Sequence, residues 1–146
     1  MEKENRNKRT LVSLYYIKRI IMKKITDIYE EIIKKSTGVF KDRNGDIYYL
    51  LNGKHHKSDG PAIEQLRGTK WWYLYGQFHR INGPAIEYSD GDKSWYFRGK
   101  LHRSNGPAIE KQNGYKYWYY YGEFADSEKE FYDPEWRRKI EIKNHI

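Results

Sequence analysis

Glycine recurs along this chain at a constant interval, and that interval constrains the fold more than any other feature. Gly45, Gly68, Gly91 and Gly114 are 23 residues apart, as are Gly53, Gly76, Gly99 and Gly122. The pentapeptide Gly-Pro-Ala-Ile-Glu keeps the same period at residues 60–64, 83–87 and 106–110, with no insertion or deletion between copies. A chain copied in this way folds as units that pack mainly on their neighbours. About three and a half units are present.

Each unit is too finely punctuated for ordinary helices. Lys70-Trp71-Trp72-Tyr73-Leu74-Tyr75 is an aromatic run of the kind that favours a pleated strand. Gly76 then supplies the positive φ of a tight turn, and Asn82-Gly83-Pro84 marks a second turn. Ala85 to Tyr88 reads as a returning strand, and Ser89-Asp90-Gly91-Asp92 as the hairpin turn that leads to the next copy. The spacing predicts strands near 47–52, 70–75, 93–98 and 116–121, with Gly53, Gly76 and Gly99 in turns. The expected fold is mainly β: antiparallel hairpin repeats in a twisted single-sheet meander or short solenoid, with an N-terminal helix and a C-terminal capping helix. Alternation along the strands places Trp72, Trp95 and Trp118 on one face with Leu74, Phe97 and Tyr120, and Tyr73, Tyr96 and Tyr119 on the other.

The flanks differ from the repeats. Residues 22–38 read as an amphipathic helix, because Ile25, Ile28, Tyr29, Ile32 and Ile33 recur at helical spacing and Gly38 follows. Such a helix would shield the open edge of the first unit. Residues 1–21 read as a basic tail, or as an extension ahead of a natural start at Met22. The hairpin repeats occupy 39–125. Residues 126–146 read as a helical cap, with a Ser127-x-x-Glu130 capping box, a helix start at Pro134, and Phe131, Trp136, Ile140 and Ile142 laid over the last strands.

Composition narrows the function classes. Rings make up 17% of the chain, with 15 Tyr and 5 Trp, and mean hydropathy is −1.07, so burial rests on aromatic packing in a thin structure. The absence of cysteine excludes disulfides and thiolate metal sites. No apolar run reaches the roughly 20 residues that span a bilayer, so a membrane partner is not expected and the location is taken as cytoplasmic. The net charge of +8 is unevenly spread. Residues 1–36 hold 10 basic against 5 acidic side chains, whereas residues 37–131 hold 14 against 12. A nucleic-acid footprint would therefore lie on the N-terminal segment rather than on the repeats.

The pattern Trp-Tyr-x-x-Gly-x-x-His-Arg-x-Asn-Gly-Pro-Ala-Ile-Glu resembles a variant of the MORN repeat, an aromatic, glycine-punctuated β-hairpin unit. It is more similar to the tandem His-Arg-x-Asp-Gly-Pro-Ala repeats of phage and large DNA virus proteins. The likeness covers about residues 40–125. It implies a phage or viral origin, while the aromatic sheet suggests the mode: a non-enzymatic module that binds a protein, concretely one that inhibits a host defence factor in host cytoplasm. MORN-type lipid-headgroup binding is the alternative that the resemblance implies. The residues themselves offer a further one, single-stranded nucleic acid held by the basic segment and an aromatic face.

No phosphate loop, nucleotide fingerprint or nucleophile elbow is present in the sequence, so neither catalysis nor a cofactor is expected. His56, His79 and His102 form a row, flanked by Lys57, Arg80 and Arg103 and followed by Glu64, Glu87 and Glu110. A motif copied in every unit holds units together more readily than it makes one reactive or metal centre, so these residues, with Gly60, Gly83 and Gly106, are assigned to structure. The last unit carries Ala125-Asp126 where the others carry His-Arg or His-Lys, which fits a motif tied to having a following unit. Partner contact is assigned to the ring row Tyr73, Tyr96 and Tyr119, together with Tyr75, Arg98 and Tyr121 at the hairpin ends.

Overall fold

The computed structural model describes the backbone of residues 2–146; within the first helix it describes the side chains of residues 15–28, 31, 32 and 35. The chain divides into two units, residues 1–36 and 37–146. The first is a single helix, α1 (Glu2–Lys35), which begins well before the residue 22 expected from the apolar spacing. The expected shielding of the first repeat by this helix falls between the two units.

The second unit is a ladder of short antiparallel strands. In chain order they are β1 (Gly38–Lys41), β2 (Ile47–Leu51), β3 (Lys54–His55), β4 (Ile63–Glu64), β5 (Lys70–Trp71), β6 (Tyr73–Leu74) and β7 (Gln77–Phe78). They continue as β8 (Ile86–Glu87), β9 (Lys93–Ser94), β10 (Tyr96–Phe97), β11 (Lys100–Leu101), β12 (Ile109–Glu110), β13 (Lys116–Tyr120) and β14 (Glu123–Ala125). The main sheet runs β1-β2-β4-β5-β8-β9-β12-β13-β14, with β3 paired to β2. The hairpins β6–β7 and β10–β11 stand beside it as two-stranded ribbons. All four expected strand positions are therefore extended, although the middle two are interrupted at Trp72 and Trp95.

Register explains the conserved spacing within the chain. One cross-strand row reads Tyr48, Ile63, Trp71, Ile86, Ser94, Ile109 and Tyr117. The neighbouring row reads Ile47, Glu64, Lys70, Glu87, Lys93, Glu110 and Lys116, so each glutamate of the pentapeptide has a lysine directly opposite. Opposite charges facing one another stabilise such a pair, whereas a slip by one residue would interleave the charges with the apolar row. The core is thin. Ala62, Ala85 and Ala108 are fully buried, and Ile63 and Ile86 nearly so.

Beyond β14 lie α2 (Glu128–Phe131) and α3 (Pro134–Asn144). Ser127 Oγ accepts the Glu130 N–H as the capping box requires, while the Glu130 carboxylate reaches back to the Asp126 N–H. Asp133 caps α3 ahead of Pro134. Phe131 and Ile140 are buried against Tyr120 and Ala125, with Trp118, Tyr121 and Trp136 packed around them. Ile142, expected to join them, is instead 65% exposed. Among the described residues, no helix is long and apolar enough to cross a membrane.

Candidate functional site

The repeats present two surfaces, and the hairpin ends connect them. The tight hairpins β2–β3, β6–β7, β10–β11 and β13–β14 each turn on two successive residues with positive φ: Asn52-Gly53, Tyr75-Gly76, Arg98-Gly99 and Tyr121-Gly122. This is the type I′ turn, whose twist matches that of the flanking strands. Its first residue is non-glycine here and sits at φ near +50°, a conformation that costs roughly 1–2 kcal/mol for an L-residue. A compensating hydrogen bond comes from the preceding unit. His56 Nδ1 accepts the Tyr75 N–H (3.2 Å), His79 Nδ1 that of Arg98 (3.2 Å) and His102 Nδ1 that of Tyr121 (3.1 Å). At the first turn, Thr37 Oγ1 takes the Asn52 N–H in the same way.

Each histidine is therefore a neutral acceptor, with its proton on Nε2. Burial lowers the pKa of His79, with the Arg98 charge adding to it, and brings that of His102 down to about 4, with Arg137 adding to it. The His56 and His102 rings also stack on Tyr75 and Tyr121, with centroids 4.3 and 3.9 Å apart.

The basic residue after each histidine serves its own unit. The Arg80 guanidinium lies over the Trp72 ring at 3.9 Å, and Nη1 donates to the Pro84 carbonyl and to Glu87 at 2.7 Å. Arg103 repeats this over Trp95 at 4.0 Å, donating to the Pro107 carbonyl and to Glu110 at 2.6 Å. Lys57 does so more loosely, over Tyr49 at 3.7 Å and 3.7 Å from Glu64. The arrangement explains Gly83: a Cβ there would come within 3.0 Å of the Arg80 guanidinium carbon. The pentapeptide thus carries the glycine that admits the arginine and the glutamate that pairs with it.

One set of positions was missed in the sequence. Asp46, Thr69 and Asp92 occupy one repeat position, and their side-chain oxygens accept the N–H of Leu66, Ser89 and Gln112, each 20 residues on. The Lys111 hydrogen bond and the Gln112 N–H hold the Asp92 carboxyl below the ordinary range. The changing residue type concealed the signal, although a shared oxygen acceptor at a 23-residue interval could have revealed it.

The Tyr73 row is half-buried. Tyr73 stacks on Phe78 at 4.2 Å, Phe78 meets Tyr96 at 5.0 Å, and Tyr119 meets Phe124 at 5.2 Å. Burial raises the phenol pKa of Tyr73 and of Tyr96. Phe78 thus bridges Tyr73 and Tyr96 side-on, Tyr119 packs on Phe124 of its own hairpin, and Tyr75 at the turn is 60% exposed.

Open space lies on the opposite, tryptophan-bearing face. A cleft of about 450 Å³ is lined by Trp72 and Leu74, with the Lys57–Gly60 loop on one side and the His79–Asn82 stretch on the other. A second, of about 520 Å³, is lined by Trp95 and Phe97 between Arg80–Gly83 and His102–Asn105. The two are related by one repeat, and Ile81, 79% exposed, borders both. One repeat further on, the same place holds the chain's own C-terminal segment. Arg137 Nη2 donates to the Ser104 carbonyl at 3.0 Å and Nε to the Phe131 carbonyl at 2.7 Å. Its guanidinium lies 4.9 Å from the Tyr120 ring and 4.4 Å from that of Phe131.

Among the described residues, no group of three or more His, Cys, Asp or Glu side chains is arranged to hold a metal ion. The histidine row points its Nδ1 atoms at backbone N–H groups of the next unit. Comparison with protein-family models and with curated proteins returns no match for this chain.

Proposed function

We propose that the repeat body is a non-enzymatic protein-binding module that seats a partner's segment in its two consecutive open clefts. The observation that carries this reading is the third, equivalent position, where a ring and a guanidinium from Phe131 and Arg137 fill the space over Tyr120. A partner that offers an aromatic side chain beside an arginine finds the equivalent floor positions at Phe97 and Leu74, one and two repeats before Tyr120, between loops at the same spacing. The arginines lining the clefts are paired with Glu87 and Glu110, and residues 37–131 are near neutral at 14 basic to 12 acidic. Shape and apolar contact, rather than bulk charge, then choose the partner. The likeness to MORN-type repeats of phage and large DNA viruses makes a host defence protein the partner to test first.

Ile81→Asp is the decisive variant, because Ile81 is exposed and borders both clefts. A partner captured by the full chain and then purified should lose at least ~10-fold in affinity against this variant, the scale of one interface anchor. Its thermal stability should be unchanged, and wild-type binding should weaken only modestly between low and physiological salt. Undiminished binding by Ile81→Asp would remove the clefts from the account. The basic excess on residues 1–36 supports a second reading, single-stranded nucleic-acid binding. Its signature would be oligonucleotide affinity that collapses with salt and disappears on deleting that segment.

A further inference from the structure

The first unit carries an exposed row of apolar residues along its helix. In α1 the residues Lys18, Ile21, Ile25, Ile28 and Ile32 alternate at spacings of three and four, so they lie along one seam of the helix. The sequence continues the spacing upstream with Leu14 and Leu11. The four isoleucines are 43% (Ile25) to 58% (Ile32) exposed. The seam is therefore apolar and solvent-facing over several turns.

We propose that this seam is covered by other copies of the same chain, in a coiled coil formed by α1. Three observations select that occupant. A three-four alternation presents a narrow apolar stripe that matches the knobs of another helix running alongside. Isoleucine at both seam positions supplies stiff branched knobs and favours assemblies of more than two strands. Lys18 is the polar residue of the seam, at the position (18, 25, 32) where a single Lys or Asn fixes register at some loss of stability. Residues 1–36 hold 10 basic against 5 acidic side chains, with Lys35 bonded to Glu31 at 2.7 Å, so an anionic membrane is the competing occupant that the test includes.

Sedimentation of the full chain tests this directly. The expected result is a mass of two or more chains, three being favoured, against 17.8 kDa for one. The double variant Ile25→Asp/Ile28→Asp should sediment as a monomer with the aromatic circular dichroism of the repeats intact. Lys18→Ile should strengthen association by roughly tenfold or more, as removal of a polar seam residue does. Any of three outcomes overturns the proposal: a wild-type monomer at every soluble concentration, an oligomer that persists in the double variant, or a wild-type monomer that pellets with phosphatidylserine vesicles.

Discussion

Residues 103–110 and residues 126–137 each lay a guanidinium over an aromatic ring, but from different elements and at different repeat positions. In the interior unit, Arg103 folds back over Trp95 and pairs with Glu110, using only its own repeat. In the terminal unit the equivalent residues are Ala125 and Asp126, and the guanidinium that arrives from α3 takes a neighbouring place: Arg137 lies over Tyr120, the counterpart of Phe97 rather than of Trp95, and reaches the Ser104 carbonyl. The difference separates two kinds of contact within one motif. The arginine serves its own unit and has no counterpart in the last one, where a guanidinium from α3 covers a neighbouring ring instead. The histidine belongs to the next unit and can be dropped there, since no fifth turn follows Tyr121.

The largest test of this contrast strikes the terminal unit. Phe131 is fully buried between the last strands and Arg137. Phe131→Ala should lower the unfolding free energy by ~3–5 kcal/mol in urea titration, well beyond any substitution in an interior cleft. Next comes the interior core. Ala85 has no exposed surface, and Ala85→Leu should cost about 1–3 kcal/mol through overpacking between strands. An effect near zero would mean that the units are looser than their register implies.

His102 sharpens the comparison further, since it lies where interior and cap meet. His102→Ala leaves the Tyr121 N–H without its acceptor and should cost about 1 kcal/mol at neutral pH. An unfolded imidazole titrates near 6.5, whereas burial holds His102 at about 4, so the unfolded chain takes up its proton first. Stability from this residue is therefore complete above pH 6.5, falls as pH drops from 6.5 towards 4, and levels off below. Chemical denaturation at pH 7 and pH 5 should show that decline in the wild type and a smaller one in His102→Ala. The smallest effect belongs to the self-contained stack. Arg80→Lys keeps the charge but loses the planar donor over Trp72, and should cost less than about 1 kcal/mol.

Much of the fold was legible because glycine and proline report backbone geometry directly. Gly53, Gly76 and Gly99 marked the hairpin turns, and Ser127, Glu130 and Pro134 marked the cap helices, through local chemistry that tertiary packing did not override. The face of Trp72 and Leu74 followed from strand alternation. The packing of the Tyr73 row did not. Tyr73 and Tyr96 are as aromatic as any interface residue, but Phe78 fills the gap between them, and that contact depends on how far one hairpin leans on the next. The clefts were hidden for a related reason. Their walls are loops from adjacent units, so no single stretch of sequence contains one. The start of α1 was missed because its first turns carry charges where amphipathic spacing was sought.

The histidine-to-turn bond has a consequence for how this chain comes to be folded and how it can change. Tyr75, Arg98 and Tyr121 are each held by a residue 19 positions earlier, and the oxygen clamps at Asp46, Thr69 and Asp92 span 20. Such reach is short for a β protein, and short reach is what speeds folding in a class that is otherwise slow. A growing chain can settle each hairpin as soon as the next has emerged, without waiting for its far end. For the same reason, a 23-residue copy inserted between two existing ones would meet a matching donor on one side and a matching acceptor on the other. The scaffold can thus lengthen its row of clefts by duplication alone.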